Sequence, residues 1–146
     1  MRPGERSHRE RFESFLEVWL ALADDLESGE SVVVVEGERD RLALERLGLR
    51  VPLAVLHDGQ SISAFAEGVA RGHRRVIVLT DWDRKGGVLA RRLSEQLAEG
   101  PAVPDLEWRR RLGQALAGEI VHVEGLYRWA RRTAERLRED LSGRLS

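Results

Sequence analysis

The chain has 146 residues, 34% of them charged, a formal net charge of −1 and no cysteine. This length fits one domain with a hydrophobic core, and the lack of cysteine excludes disulfides, thiolate zinc sites and cysteine nucleophiles. The near-zero net charge neither favours nor excludes a nucleic-acid partner. Because no apolar stretch is long enough to span a membrane and the N-terminus has no signal-peptide core, we expect a cytoplasmic protein without membrane contact.

Helix and strand patterns alternate along the chain. Apolar residues at helical spacing predict a first helix over 12–26, and the unbroken apolar run 31–35 predicts a strand buried on both faces. The later predicted elements are a helix at 39–47, a strand at 51–56 interrupted by Pro52, a helix from Ser61 to about 72, a strand at 76–80 and a helix at 88–97. Beyond these the pattern predicts a loop at 99–105, a helix at 106–116, a short strand at 120–123 and a final helix at 126–141.

This alternation is typical of a three-layer α/β/α, Rossmann-like fold with right-handed crossovers. We expect a mainly parallel sheet of about four strands. The pattern divides the chain into an N-terminal helical extension (1–29), a core (30–100) and a C-terminal helical extension packed on the core (101–146).

Carboxylates follow two of the predicted strands. Asp81 and Asp83 come after one apolar run, and their spacing of two points both side chains the same way. Glu36 comes directly after the first apolar run. If the two strands are neighbours, all three carboxylates meet beyond the carboxyl ends of the strands, where parallel sheets carry their sites. Because carboxylates this close repel each other, a hard cation between them is favourable, and the sequence predicts a magnesium or manganese site.

Several neighbouring residues are candidates for supporting roles. Gly37 allows a sharp turn and the close approach of a phosphate or metal to the backbone. Asp40, one helical turn on, either caps its helix or joins the site. His57 is either a ligand or general base or a loop histidine bonded to backbone, and Asp58 is first a turn residue and second a supporting acid.

The motifs at the two strand ends resemble a known domain. The segment VVVVEGERDRLALERLG, followed later by VIVLTDWDRKGG, resembles the Toprim domain shared by topoisomerases and bacterial-type primases, whose hallmarks are Glu-Gly and Asp-x-Asp after two strands. They stand here as Glu36-Gly37 and Asp81-Trp82-Asp83. The resemblance covers roughly 30–100 and is strongest to the small stand-alone Toprim proteins related to the nuclease that matures 5S ribosomal RNA.

The resemblance implies a magnesium-dependent site for phosphodiester chemistry. Glu36 would be the general acid/base, and Asp81 and Asp83 would be metal ligands. Lys85, the only lysine in the chain, stands where several Toprim families carry a third acid. It is either a phosphate contact or a solvated loop cation.

Several basic and aromatic residues are also candidates for contacts at or near the predicted site. Arg39, Arg41 and Arg84 are placed near the predicted site, and we name Arg39 and Arg84 as candidate phosphate contacts. The arginine clusters at 71–75, 109–111 and 128–132 could follow a nucleic-acid backbone. Because they are interleaved with Glu and Asp, a solvated, salt-bridged surface is favoured instead, and the first cluster lies at the opposite edge of the sheet. Trp82 is expected to pack against a helix. The Val-Glu-Gly at 123–125 repeats the first motif by coincidence, with Glu124 near a helix start.

The resemblance implies an enzyme that uses magnesium or manganese on RNA or DNA phosphodiesters, nuclease-like and involved in RNA processing. The alternative is a non-catalytic Toprim module that binds metal and nucleic acid, or a protein partner, including a second copy of itself. A phosphoacceptor receiver domain fits less well. Its acidic pair follows the first strand, where this chain carries a glutamate.

Overall fold

The computed structural model describes residues 7–56 and 59–145. Strands and helices alternate through the described residues from the first strand to the last. The strands are β1 (Ser31–Val35), β2 (Leu53–Val55), β3 (Arg75–Val78) and β4 (Val103–Asp105). The helices are α1 (His8–Asp25), α2 (Glu38–Arg46), α3 (Ile62–Ala70), α4 (Arg84–Ala98), α5 (Glu107–Leu116) and α6 (Leu126–Leu145), with short 3-10 helices at Leu26–Ser28 and Val123–Gly125.

The four strands form one parallel sheet in the order β2–β1–β3–β4. Val33 of β1 pairs with Leu53 on one side and Ile77 on the other. The expected three-layer α/β/α fold with a four-stranded parallel sheet is therefore confirmed. Because β1 and β3 are neighbours, the residues that follow these two strands lie side by side at one edge.

Both faces of the sheet are buried, which explains the unbroken valine run of β1. Val33 and Val35 pack into a core that includes Phe15 of α1, Leu112 of α5 and residues of α2 and α6. Val32 and Val34 pack into a second core with Phe65 of α3 and Leu93 and Leu97 of α4. Successive residues of a strand point to opposite faces, so a strand covered on both sides has no polar position.

Two segments differ from the sequence prediction. Val103–Asp105 forms the edge strand β4 where a loop is predicted, because the Pro104 nitrogen can face away from the sheet at an edge while the Val103 amide donates to the Arg74 carbonyl at 2.9 Å. The predicted strand at 120–123 is wrong. Its last residue begins the 3-10 helix, and single hydrogen bonds tie the segment to the loop after β3.

Helix α4 begins at Arg84, four residues before the predicted start, because the Asp83 side chain caps it. The predicted cap of α3 is confirmed, since Ser61 Oγ accepts the Ala64 amide at 3.0 Å. In the described part of the chain, no helix combines the length and the apolar character that crossing a bilayer needs.

Candidate metal site at the carboxyl edge of the sheet

The ends of β1 and β3 bring Glu36 and Asp81 into direct contact. The pairing of the two strands continues past β3, since the Leu79 amide donates to the Val34 carbonyl at 2.8 Å. Glu36 then follows β1, and its Oε2 accepts the Asp81 amide at 3.0 Å. The juxtaposition expected from the two apolar runs is therefore present in the structure.

The two carboxylate oxygens of Asp83 make different contacts, one with the backbone at the start of α4 and one with a histidine in the cleft. Its Oδ1 accepts the Gly86 amide at 2.7 Å and so caps α4, while its Oδ2 lies 3.2 Å from His122 Nε2. The Asp-x-Asp motif thus lies in the loop between β3 and α4 and ends at the cap of α4, which fixes Asp83 relative to the backbone.

Gly86 lets the first turn of α4 pack closely against the loop after β3, because there is no room for a side chain at this position. A Cβ atom on Gly86 would lie 1.9 Å from the Asp81 carbonyl oxygen, well inside van der Waals contact. The Thr80 hydroxyl, fully buried, donates to the Gly86 carbonyl at 2.7 Å. The first turn of α4 therefore packs directly on the backbone of Asp81.

Asp40 fulfils both roles that the sequence left open. Its Oδ2 accepts the Gly37 amide at 3.0 Å at the start of α2, and its side chain also lines the cleft beside Glu36. The chain bends at Glu36 and Gly37, as expected from the sequence, but the bend does not depend on a conformation special to glycine. Gly37 is extended (φ −145°, ψ 171°), and a Cβ there would lie 3.9 Å from Asp40 Oδ2, so the backbone does not require glycine.

These side chains line a cleft of about 470 Å³. The lining is mostly acidic, with Lys85 as its exposed cation; the residues are Glu36, Gly37, Glu38, Asp40, Val55, Leu56, Asp81, Asp83, Lys85, His122 and Glu124. Two overlapping sets bring their ligand atoms within 4.8 Å of one another: Glu36, Asp40 and Asp81, and Asp81, Asp83 and His122. Carboxylate oxygens suit magnesium or manganese, and the set of Glu36, Asp40 and Asp81 offers only such ligands, so the residues present fit such an ion.

Each of the four central carboxylates is held by a backbone amide. Glu36 accepts from Asp81, Asp40 from Gly37, Asp83 from Gly86, and Asp81 Oδ1 from Val123 at 2.8 Å. Among the described residues, no arginine or lysine forms an ion pair with any of the four. The amides orient the carboxylates, and most of the negative charge is left for a cation.

Burial and neighbouring negative charges raise the pKa of two of these acids, Glu36 and Asp40. Burial is the largest cause of a Glu36 pKa raised from 4.5 to about 7, the Asp81 and Asp83 charges add to it, and the hydrogen bond from the Asp81 amide partly offsets it. Burial also raises the pKa of Asp40, with the Asp81 carboxylate as the next cause. Glu36 therefore exchanges its proton near neutral pH.

Arg109 is the site residue that the sequence reasoning placed wrongly. It is half-buried rather than solvated, and its guanidinium donates to the carbonyls of Thr80 at 3.1 Å and Asp81 at 2.6 Å. Burial lowers its pKa, and the charges of Glu36, Asp83 and Asp81 oppose that shift. Arg109 thus holds the backbone of the Asp-x-Asp loop from behind without pairing with its carboxylates.

The other basic candidates divide into two groups. Lys85 is exposed and lines the cleft, as a phosphate contact would require. Arg84 is exposed but does not line the cleft, Arg39 lies in a neighbouring groove, and Arg41 pairs with Glu38 and Glu45 of its own helix. His57 and Asp58 lie outside the described residues.

Three further sequence predictions about this region are confirmed. Trp82 packs against α5, where its Nε1 donates to the Arg109 carbonyl at 2.7 Å and Gly113 leaves room for its ring. Arg75 pairs with Asp25 and Asp105 at the amino edge of the sheet, remote from the carboxylate cleft. Arg110 pairs with Glu107 on the exposed face of α5.

The segment 121–124 is the part of the site that sequence reasoning missed. The Trp82 amide donates to the Val121 carbonyl at 2.8 Å, which brings His122, the Val123 amide and Glu124 to the cleft. The repeated Val-Glu-Gly was the available signal. It is a weak signal, because no four-residue apolar run precedes it and no Asp follows it.

The fold and the site define a three-layer α/β protein with an acidic, candidate metal-binding cleft at the carboxyl edge of a parallel sheet. The chain belongs to the UPF0292 family. It is 39% identical over 122 residues to a UPF0292 protein of Methanosarcina acetivorans, covering 82% of each chain. It is 37% identical over 118 residues to one of Thermococcus kodakarensis, covering 81% of this chain and 84% of the relative.

No family model matches the chain. A solved structure of a protein from Aquifex aeolicus is similar with a TM-score of 0.62 and 24% identity, covering 75% of this chain and 95% of that one. This likeness shows a shared fold.

Proposed function

We propose that this chain is a magnesium-dependent Toprim protein that acts on nucleic-acid phosphodiesters as a nuclease, in RNA processing. The observation that carries the proposal is the meeting of Glu36, Asp81 and Asp83 in one cleft. The three acids come from the ends of two neighbouring parallel strands, as the Glu-Gly and Asp-x-Asp motifs lead one to expect.

Asp81 and Asp83 would hold the ion, with Glu36, Asp40 and His122 as further ligands from the two overlapping sets. A bound magnesium ion would supply neutralisation of the charge on the non-bridging and leaving oxygens of the phosphodiester.

The protein's own groups would then handle the proton and the phosphate. In the metal-free protein burial raises the pKa of Glu36 to about 7, and the Asp81 amide fixes its Oε2 in place. Glu36 would serve as the general acid/base where Asp81 and Asp83 hold the ion and Glu36 does not ligate it. Lys85 supplies an exposed ammonium that can contact a phosphate as a point charge. Arg109 and Gly86 keep the aspartate loop rigid against α5 and α4.

The test is cleavage of structured RNA and of single- and double-stranded DNA with magnesium or manganese. Glu36→Gln and Asp81→Asn should each reduce cleavage by roughly 100-fold or more, because each removes a group that acts on the proton or the ion. Glu95→Gln and Asp24→Asn are matched controls on exposed positions of α4 and α1 and should cleave like the wild type.

Cleavage that survives both cleft substitutions would refute the proposal. A second readout separates the non-catalytic alternative. If no substrate is cut but magnesium raises the melting temperature of the wild type and not of Asp81→Asn, the chain is a metal-binding module. If magnesium and manganese have no effect on the wild type, the metal site itself is wrong.

A further inference from the structure

A second concave surface lies beside the carboxylate cleft. It is a groove of about 530 Å³ between α2 and α6, which pack against each other. Its lining combines four arginines with apolar and aromatic side chains; the lining residues are Arg39, Leu42, Ala43, Arg46, Glu124, Gly125, Tyr127, Arg128 and Arg131. We refer to this surface as the arginine groove.

The positive charge of this groove is largely uncompensated. Glu124 is the single carboxylate in its lining. Within residues 7–56 and 59–145, Arg39, Arg46 and Arg128 form no ion pair, and Arg131 pairs only with the exposed Glu135 of its own helix. A chain with a net charge of −1 thus concentrates four guanidinium groups around one concave surface.

The pairing of Arg41 shows that this arrangement is not a general property of the exposed arginines. Arg41 lies on the same short helix as Arg39 and Arg46 but forms ion pairs with Glu38 and Glu45. The two α2 arginines that line the groove, Arg39 and Arg46, have no such partners among the described residues. Their charge is therefore available to an anionic ligand.

The apolar and aromatic side chains of the groove can contact bases, whereas its arginines can contact phosphates. Leu42 is 40% exposed although it lies on a helix that packs on the core, and it lines the groove together with the half-buried Tyr127. The Arg46 guanidinium lies 6.0 Å from the centre of the Tyr127 ring. An aromatic ring and an apolar surface flanked by arginines are the features on which single-stranded nucleic acids stack and pair their phosphates.

The spacing of the arginines fits an extended chain of phosphates. Arg39 and Arg46 are seven residues apart on α2, or roughly 10 Å along the helix axis. Arg128 and Arg131 are three residues apart on α6 and so share one face. The two pairs come from the two helices between which the groove lies, so a strand bound there would meet cations from both helices.

The arginine groove is continuous with the carboxylate cleft. Glu124 lines both surfaces, and Glu38 of the cleft is adjacent in sequence to Arg39 of the groove. We propose that the arginine groove binds a single-stranded stretch of nucleic acid and leads it to the carboxylate cleft. The inference names the substrate-binding surface of the proposed function and rests on that function.

The experiment measures binding of a fluorescent single-stranded oligonucleotide by anisotropy, in EDTA so that no cleavage occurs. Both RNA and DNA oligonucleotides are used, over a range of salt concentrations. The test variant is Arg128→Ala with Arg131→Ala. The matched control is Arg91→Ala with Arg92→Ala, which removes two exposed arginines from α4 on the other face of the sheet.

The groove variant should lose about tenfold or more in affinity at low salt, and its salt dependence should fall by about 1.4 in the slope of log K against log salt. The control should stay within about twofold of the wild type. Tyr127→Ala should weaken binding without changing that slope, because stacking carries no counterion release. The melting temperature of each variant verifies that it is folded.

Equal losses in the two double variants would overturn the inference, as would a wild type that does not bind single strands. A polyglutamate peptide that competes as strongly as an unlabelled oligonucleotide would also overturn it, by showing that the surface takes any polyanion. The failure of the proposed function looks different. A wild type that binds through the groove but cleaves nothing refutes the nuclease and leaves the groove intact.

Discussion

Glu36→Gln should make the metal-free protein more stable at alkaline pH while leaving it nearly unchanged at acidic pH. Folding raises the pKa of Glu36 from 4.5 to about 7, chiefly through burial. Between these two values the folded protein keeps a proton that the unfolded chain has lost, so the free energy of unfolding falls as the pH rises. The cost of charging Glu36 is absent below about pH 4.5 and complete above about pH 7.

The full shift corresponds to roughly 3 kcal/mol at about 1.4 kcal/mol per pKa unit. Because the Glu36 side chain is only partly buried, solvent screening reduces the expected effect to about 1–2 kcal/mol. Glutamine resembles the protonated acid, and its carbonyl oxygen can still accept the Asp81 amide. The variant should therefore melt about 3–6 °C above the wild type at pH 8 and within about 1 °C of it at pH 5.

The assay is thermal unfolding followed by circular dichroism in EDTA at several pH values between 5 and 8. Titrating groups remote from the cleft are common to both proteins, so the difference between their melting temperatures reports Glu36 together with the acids that interact with it. Glu95→Gln should show no pH-dependent difference. Saturating magnesium should reverse the order of stability, since binding to the folded state stabilises the protein that keeps the ligand. A wild-type-minus-variant difference that stays constant from pH 5 to pH 8 would refute the reasoning.

Three further predictions concern the loop after β3. Gly86→Ala should destabilise the fold by about 1–3 kcal/mol in urea unfolding, because its Cβ would lie 1.9 Å from a backbone oxygen. The control Gly68→Ala in α3, with nothing within 4 Å of its Cβ, should be neutral or stabilising by up to about 1 kcal/mol. Equal effects of the two substitutions would contradict the close packing of Gly86 on the Asp81 backbone. His122→Ala should weaken manganese binding more than magnesium binding in calorimetric titrations, because imidazole is the softer ligand; equal losses would remove His122 from the ligand set. Arg109→Leu should lower the free energy of unfolding by about 1–3 kcal/mol by leaving two carbonyls without their donor, and a loss no larger than that of Arg110→Leu on the exposed face would show that its contacts are unimportant.

The sheet and its carboxyl edge could be predicted because they depend on local patterns. The valine run of β1 has one physical explanation, burial on both faces, and that explanation already requires a parallel sheet with helices on each side. The residues after such strands then lie at one edge whatever the loops do. Glu36 and Asp81 meet for this reason.

The missed parts depend on tertiary contacts that leave no local pattern. A three-residue edge strand with Pro104 at its centre has the composition of a loop, and only its pairing with β3 makes it a strand. Arg109 belongs to a run of three arginines, and its neighbours differ from it only in the direction that α5 gives them. His122 reaches the cleft through hydrogen bonds between irregular segments, which no periodicity predicts.

The distribution of positive charge separates a binding site from a salt-bridge network in this molecule. The chain is rich in arginine, and four exposed acids, Glu38, Glu45, Glu107 and Glu135, pair with arginines three or four residues away. The four carboxylates at the sheet edge instead receive backbone amides, and the nearest guanidinium, Arg109, donates to carbonyls.

An amide dipole orients a carboxylate without cancelling its charge, whereas an arginine would do both and would occupy the space of an ion. Three of the four groove arginines, Arg39, Arg46 and Arg128, form no ion pair among the described residues and lie in the groove that adjoins the cleft. Cations along a phosphodiester backbone and a metal at the scissile phosphate both stabilise negative charge, so this division of charge supports the proposed action on nucleic acid.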